Sequence, residues 1–163
     1  MVEQKVFIGI GSNLGDCAGN CITSIKKISE DKRVELISQS ALYVASPVST
    51  VPQNDFINCA IRIIWKGSHF ELLDFLNTIE AEMGRERQIK CGPRIIDLDI
   101  LLFGDLIIDA PSLQIPHPEL HKRRFAIVPC VEIDPTVVHP LLKRQLKEFL
   151  ADIEDEQKVR VHE

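Results

Sequence analysis

The order in which strand-like and helix-like segments follow one another predicts an α+β fold, a mainly antiparallel sheet with helices packed on it. Two further observations support this class. The stretch Ser68-His69-Phe70-Glu71 has the form of a capping box, so a helix begins there rather than continuing the strand before it. The chain also has 163 residues, 45% of them hydrophobic, with a mean hydropathy of +0.03. That is enough for one domain burying roughly 70% of its extended surface.

Taken in order, KVFIGI (5–10) reads as a strand and NCITSIKKISE (20–30) as a helix with Ile22, Ile25 and Ile28 on one side. VELISQSALYV (34–44) and FINCAIRIIW (56–65) read as the next two strands. The capping box opens a helix to about Met83, with Phe70, Leu73, Leu76 and Ile79 inward and Gly84 as its stop. PRIIDLDILLFGD (93–105) supplies a fourth strand. The sequence β-α-β-β-α-β is that of the ferredoxin-like or split βαβ core. HKRRFAIVPCVEI (121–133) and PLLKRQLKEFLADI (140–153) add helical segments covering more of the sheet. The whole of 1–163 is expected to form one domain, with EDEQKVRVHE (154–163) as a mobile end.

Within the fourth strand, alternation sends Asp97, Asp99, Leu101 and Phe103 to one face and Ile96, Leu98, Ile100 and Leu102 to the other. The two carboxylates therefore point the same way, with Cβ atoms roughly 7 Å apart. At about 5 Å and an effective dielectric near 20 they repel by roughly 3 kcal/mol, which calls for a cation, a hydrogen-bond network or a retained proton. With 11 Asp in the chain, chance alone supplies about 0.7 D-x-D pairs, so spacing needs support from context. A solvated acidic edge, or an ion pair with Arg94, is the plain alternative.

Context comes from three loops rich in Pro, Gly and charge: 44–55, 84–94 and 110–124. Arg85, Arg87, Lys90 and Arg94 crowd the second, and His121, Lys122, Arg123 and Arg124 end the third, in a chain of formal charge −5. Carboxylates beside forked cationic donors suit a polyphosphate with its Mg²⁺. The net acidity argues against a broad nucleic-acid-binding face. GIGSNLG (9–15) does not meet the dinucleotide spacing, and no P-loop or G-x-S-x-G elbow is present. Gly11 and Gly15 are read as shaping a turn that Asn13 caps or buttresses. The five cysteines (17, 21, 59, 91 and 130) form no metal-like grouping and read as reduced thiols, Cys59 and Cys130 as core fillers. There is no signal-peptide pattern or membrane-spanning run, so a cytoplasmic protein is expected.

GSNLGD (11–16), PRIIDLDILLFGD (93–105) and PHPELHKRRFAIVP (116–129) together resemble the 6-hydroxymethyl-7,8-dihydropterin pyrophosphokinase family, in order and over nearly the whole chain. The resemblance implies transfer of diphosphate from ATP to the pterin hydroxymethyl group, in folate biosynthesis. It implies that Asp97 and Asp99 ligate two Mg²⁺ ions. Arg94 and Arg123 would contact phosphate, Arg85 and Arg87 would belong to a mobile loop closing over ATP, and Glu80 and His117 would lie at the nucleotide site. For the pterin, Asn58 would hydrogen-bond its polar edge and Phe56 and Phe125 would stack on it, with Ala45, Ser46 and Val48 lining the pocket. ATP and the pterin would be the partners of a monomer that binds neither nucleic acid nor membrane. Two departures stand out: Cys91 replaces a common Trp before Gly-Pro-Arg, and the Arg-rich loop is about one residue shorter. The competing reading is a non-enzymatic ferredoxin-like domain with a structural Asp pair.

Overall fold

A computed structural model describes residues 4–47, 54–84, 94–154 and 157–163. Val48, Arg85, Arg87, Lys90 and Cys91, named above, lie outside the described residues. The core strands and helices are β1 (Gln4–Ser12), α1 (Cys17–Ser29), β2 (Val34–Gln39), β3 (Tyr43–Ala45), β4 (Phe56–Trp65), α2 (His69–Glu82) and β5 (Asp97–Phe103). A hairpin of β6 (Ile108–Ala110) and β7 (Leu113–Ile115) leads to α3 (Arg124–Ile133). A second hairpin, β8 (Val138–His139) and β9 (Arg144–Gln145), precedes a 3-10 helix at Leu146–Asp152 and the strand β10 (Val159–Val161).

The sheet runs β10-β3-β4-β1-β5, with β2 also paired to β4, and each pairing is antiparallel. This is the ferredoxin-like arrangement the segment order predicts. The expected strand 34–44 divides at Ser40–Leu42. There the Ser40 hydroxyl accepts the Ala60 N–H at 2.9 Å, and the Ser40 N–H bonds the Ala60 carbonyl at 2.9 Å. Within the tail, Val159–Val161 pairs with Tyr43–Ala45. In the C-terminal part, Arg144 and Gln145 belong to a strand, and the helical turn after them is 3-10. Its buried Leu146 and Phe149 stand three apart, the period of that helix.

Two cores result. One lies between the sheet and α1/α2 and contains Ile8, Ile28, Ile61, Trp65, Leu72, Leu76 and Ile96. The other lies between the opposite face and α3 and contains Phe7, Leu101, Leu102, Leu120, Ile127 and Phe149. The helix faces differ from expectation. In α1 the buried set is Cys21, Ser24, Ile25 and Ile28, while Ile22 is 59% exposed. In α2 it is Leu72, Leu76, Ile79 and Glu80, with Phe70 turned outward. α1 also begins earlier, because the Asp16 side chain accepts the Gly19 N–H at 3.2 Å and caps it. The capping box of α2 is present in full, and Gly84 (φ +85°) takes the left-handed conformation that ends a helix. No helix among the described residues is long and apolar enough to cross a membrane.

The second core contains a histidine pair. His139 is 2% exposed, and its ring meets His121 at 5.7 Å and Phe149 at 6.1 Å. The His139 Nδ1 accepts the Leu142 N–H, whereas the His121 Nδ1 is buried with no partner among the described residues. Burial lowers both pKa values. Lys122 lowers His121 further against the pull of Glu119, and His121 does the same to His139. The unfolded chain, titrating near pH 6.5, therefore binds more protons than the folded one as pH falls, and stability drains away below that value. The urea midpoint is expected to fall between pH 7.5 and 5.5, and His121→Phe should narrow that loss. An unchanged loss in the variant would show that His121 does not contribute.

Candidate active site

The floor of the site is made where β1 lies between β4 and β5. Gly11 is opposite Asp97 and Gly9 opposite Asp99 on β5, while on β4 Gly11 is opposite Asn58. Gly11 is thus part of a strand and not of the following turn, which is left to Gly15 at φ +77°. The glycines leave one face of β1 bare. A Cβ at Gly11 would stand 2.7 Å from Asn58 Nδ2, and one at Gly9 would stand 3.1 Å from Leu101 Cδ1. The pleat of β5 holds as far as Ile100. A bulge at Leu101 then lets Leu101 and Leu102 both reach the α3 core and returns Phe103 to the α1/α2 core, against simple alternation.

A cleft of about 370 Å³ opens on this bare strip. Asp97, Asp99, Arg94, His117 and Arg123 line it. So do Phe56, Asn58 and Phe125, which stand toward β4 and α3. Glu119, Lys122 and Gln157 complete the polar lining; of these, only Lys122 is among the cations the sequence offers for the site. Ala45 and Ser46 stand at the end of β3, Ala45 opposite Phe56, outside the residues lining the cleft. Of the other cations in 110–124, His121 faces the buried aromatic pair and Arg124 donates to the Ile153 carbonyl at 2.8 Å.

Asn13, 1% exposed, fixes Arg94 by a reciprocal pair of bonds. Its Oδ1 accepts the Arg94 N–H at 2.8 Å and its own N–H donates to the Arg94 carbonyl at 3.1 Å. Arg94 Nη1 lies 3.2 Å from Asp97 Oδ2. Asp99 faces His117, whose Nε2 is 4.0 Å from Asp99 Oδ1. The His117 Nδ1 accepts the Glu119 N–H at 3.1 Å, so the neutral ring carries its proton on Nε2. Burial, and then the charge of Arg123, lower the His117 pKa against Asp97 and Glu119, so the ring is neutral at pH 7. It can donate toward an anion without adding charge.

Glu80 lies on the opposite side of the sheet. Its carboxylate accepts the N–H of Leu98, the residue between the two aspartates, at 2.8 Å. It is 8% exposed and braces β5, an edge strand in the order above. Among the described residues no third Asp, Glu, His or Cys joins the aspartates in a metal-holding cluster. Asn58 is 6% exposed, and its Oδ1 has no partner among the described residues. A buried amide oxygen at a cleft wall is an acceptor prepared for a ligand donor.

Fold and site together define a ferredoxin-like α+β domain with carboxylates, arginines and an amide gathered on one bare sheet face. The chain belongs to the 7,8-dihydro-6-hydroxymethylpterin-pyrophosphokinase (HPPK) family, whose model matches residues 7–135. It is 38% identical over 144 residues to the 2-amino-4-hydroxy-6-hydroxymethyldihydropteridine pyrophosphokinase of Aquifex aeolicus, covering 88% of this chain and 89% of that one. The enzyme of that name from Pseudomonas aeruginosa is 34% identical over 148 residues, 91% of each chain. The structure of wild-type Plasmodium falciparum HPPK-DHPS with pteroate shares the fold, with a TM-score of 0.74 at 14% identity over 93% of this chain and 42% of that one. This chain thus spans less than half of that solved chain.

Asn13→Ala should cost about 1–3 kcal/mol of stability by leaving the Arg94 N–H without its acceptor, whereas Asn13→Asp should retain most of it. Urea unfolding distinguishes them, and equal stability of wild type and the alanine variant would rule out Asn13 as the anchor of Arg94.

Proposed function

We propose that this protein transfers the terminal diphosphate of ATP to 6-hydroxymethyl-7,8-dihydropterin, giving the pterin diphosphate and AMP in folate biosynthesis. The observation that carries this reading is one cleft with two chemistries: Asp97, Asp99, Arg94 and Arg123 for a polyphosphate, and Asn58 with Phe56 and Phe125 for a flat heterocycle.

In this reading the hydroxymethyl oxygen attacks the β-phosphorus in line and loses its proton to solvent. The bond from that phosphorus to the α-phosphate bridging oxygen breaks, and AMP leaves with the electron pair. Asp97 and Asp99 would hold two Mg²⁺ ions, their hard anionic oxygens suiting that cation. When bound, Mg²⁺ neutralises the phosphate charge. Arg94, already aimed at Asp97, and Arg123 add donors to the phosphate oxygens. His117 contributes its Nε2–H. Glu80 acts at the nucleotide site from behind, by fixing the backbone between the aspartates. Asn58 Oδ1 accepts from the pterin's N–H edge while Phe56 and Phe125 stack on its faces. Ala45, Ser46 and Val48 are assigned to the same pocket, and Arg85 and Arg87 to ATP, on the sequence resemblance. We assign the working form as a cytoplasmic monomer. Positioning and electrostatics carry most of the catalysis.

The test is AMP formation from ATP. It should require both Mg²⁺ and the pterin; AMP formed without the pterin would refute the assignment. Asp97→Asn and Asp99→Asn should each lower turnover by about 100-fold or more with the fold intact, and near wild-type turnover at saturating Mg²⁺ would remove the metal role.

Arg94→Ala and Arg123→Ala should lower kcat more than they weaken ATP binding if their bonds strengthen as charge moves along the diphosphate. Affinity measured separately from rate decides this, and a loss of ATP affinity with kcat unchanged would mean uniform binding instead.

A further inference from the structure

We propose that the segment carrying β10 forms a wall of the pterin subsite, with Gln157 as the positioning residue in it. This inference rests on reading the cleft as the pterin site. β3 has only three residues and follows the break at Ser40–Leu42. Strands of that length are at the lower limit of what a sheet holds. β4 pairs with one edge of β3, placing Tyr43 opposite Asn58 and Ala45 opposite Phe56. β10 takes the other edge, with Val159 opposite Ala45 and Val161 opposite Tyr43.

The connection continues past the ladder. The Ser46 N–H donates to the Lys158 carbonyl at 3.1 Å, the Lys158 N–H donates to Ser46 Oγ at 3.1 Å, and Gln157 Nε2 donates to the Ser46 carbonyl. Every backbone hydrogen-bonding group of Ser46, and its hydroxyl, is thus engaged by two consecutive residues more than a hundred positions away. Gln157 also lines the cleft beside Asn58, Phe56 and Phe125. Two of the three bonds to Ser46 are made by the Lys158 backbone and survive any side-chain change. The third is made by a side chain that stands inside the cleft. Its amide group therefore ties the Ser46 carbonyl, itself outside the cleft lining, to the part of the cleft lined by Phe56, Asn58 and Phe125.

The decisive variant is Gln157→Met, which keeps side-chain length and apolar bulk and removes the donor. With Mg²⁺ and a non-hydrolysable ATP analogue present, its Kd for 6-hydroxymethyl-7,8-dihydropterin should rise about tenfold, the equivalent of one net hydrogen bond. Its Kd for the ATP analogue should stay within about twofold, and Gln157→Asn should not restore affinity because its amide is one carbon too short. Thermal unfolding of each variant guards against a general loss of structure: a matching loss of ATP-analogue affinity would mark the residue as merely structural and overturn the inference. Wild-type pterin binding with an unchanged Gln157→Met variant would overturn the inference alone. A wild-type chain that binds no pterin would overturn the substrate reading and this inference together.

Discussion

The site depends on the antiparallel pairing of β1 with β5 in a register that sets Gly9 and Gly11 against Asp99 and Asp97. Two carboxylates on one strand face repel each other, and a neighbouring strand of ordinary residues would bury them under side chains. A buried carboxylate without compensation costs several kcal/mol and protonates instead. Glycine at alternate positions of β1 removes that cover. It leaves the aspartates partly exposed, with side-chain accessibilities of 23% and 36%. The same bare strip gives Asn58 room for its amide, since a Cβ at Gly11 would collide with it. One register therefore serves both ends of the cleft, and a slip by one residue would place Ile8 and Ile10 over the acids.

Around that floor, charge is balanced by elements arriving from different parts of the chain. Arg94 comes from the loop before β5 and is fixed by Asn13 from the loop after β1, so two connections at the same end of the sheet lock each other. His117 comes from the segment after β7, and its backbone N–H donates to the Leu101 carbonyl at 3.0 Å. That carbonyl belongs to the bulged residue, so the irregularity that sends Leu101 into the α3 core also provides a place for the histidine to dock. Glu80 closes the arrangement from the other face. A carboxylate at that depth is tolerated because it accepts a backbone N–H at the sheet edge.

Much of this was legible in the sequence, for physical reasons that also mark where legibility ended. The capping box, Gly84 and the periodicity of 56–65 are local signals, and they gave α2 and β4 almost to the residue. The pairing of Asp97 with Asp99 followed from a period of two, which the strand obeys until its bulge. Helix faces are less legible because hydropathy alone favours the most apolar residues as the buried ones. Small Cys21 and Ser24 fit under the sheet where Ile22 does not, and Glu80 is buried for its hydrogen bond, which no hydropathy pattern expresses. Asp16 carries a signal that the periodicity of 20–30 does not use: a short acid before a helical run is a capping residue. The role of Gly9 and Gly11 was present in the alternation I-G-I-G, a strand with one empty face, but only the neighbouring strands reveal what needs the space.

The segment at 157–163 was the hardest to read, and the reason is general. A three-residue strand has no periodicity to detect, and its composition, QKVRVHE, is polar enough to pass for a solvated end. What orders it is the unsatisfied outer edge of β3, itself too short to announce a need for a partner. Two weak segments therefore stabilise each other through backbone bonds that carry no sequence signature beyond the alternation of Val159 and Val161. Tyr43 and Ala41 add a second tie, since the Tyr43 hydroxyl and the Ala41 N–H both donate to the Glu132 carboxylate on α3. Burial and that carboxylate push the Tyr43 pKa up to about 12, so the phenol remains a donor throughout the working range. β3 is thus held by β4, β10 and α3 at once. Because Phe56 and Asn58 belong to β4 and Phe125 to α3, this convergence shapes the part of the cleft they line, while β1, shared by Asn58 on one side and the aspartates on the other, couples that part to the aspartate end.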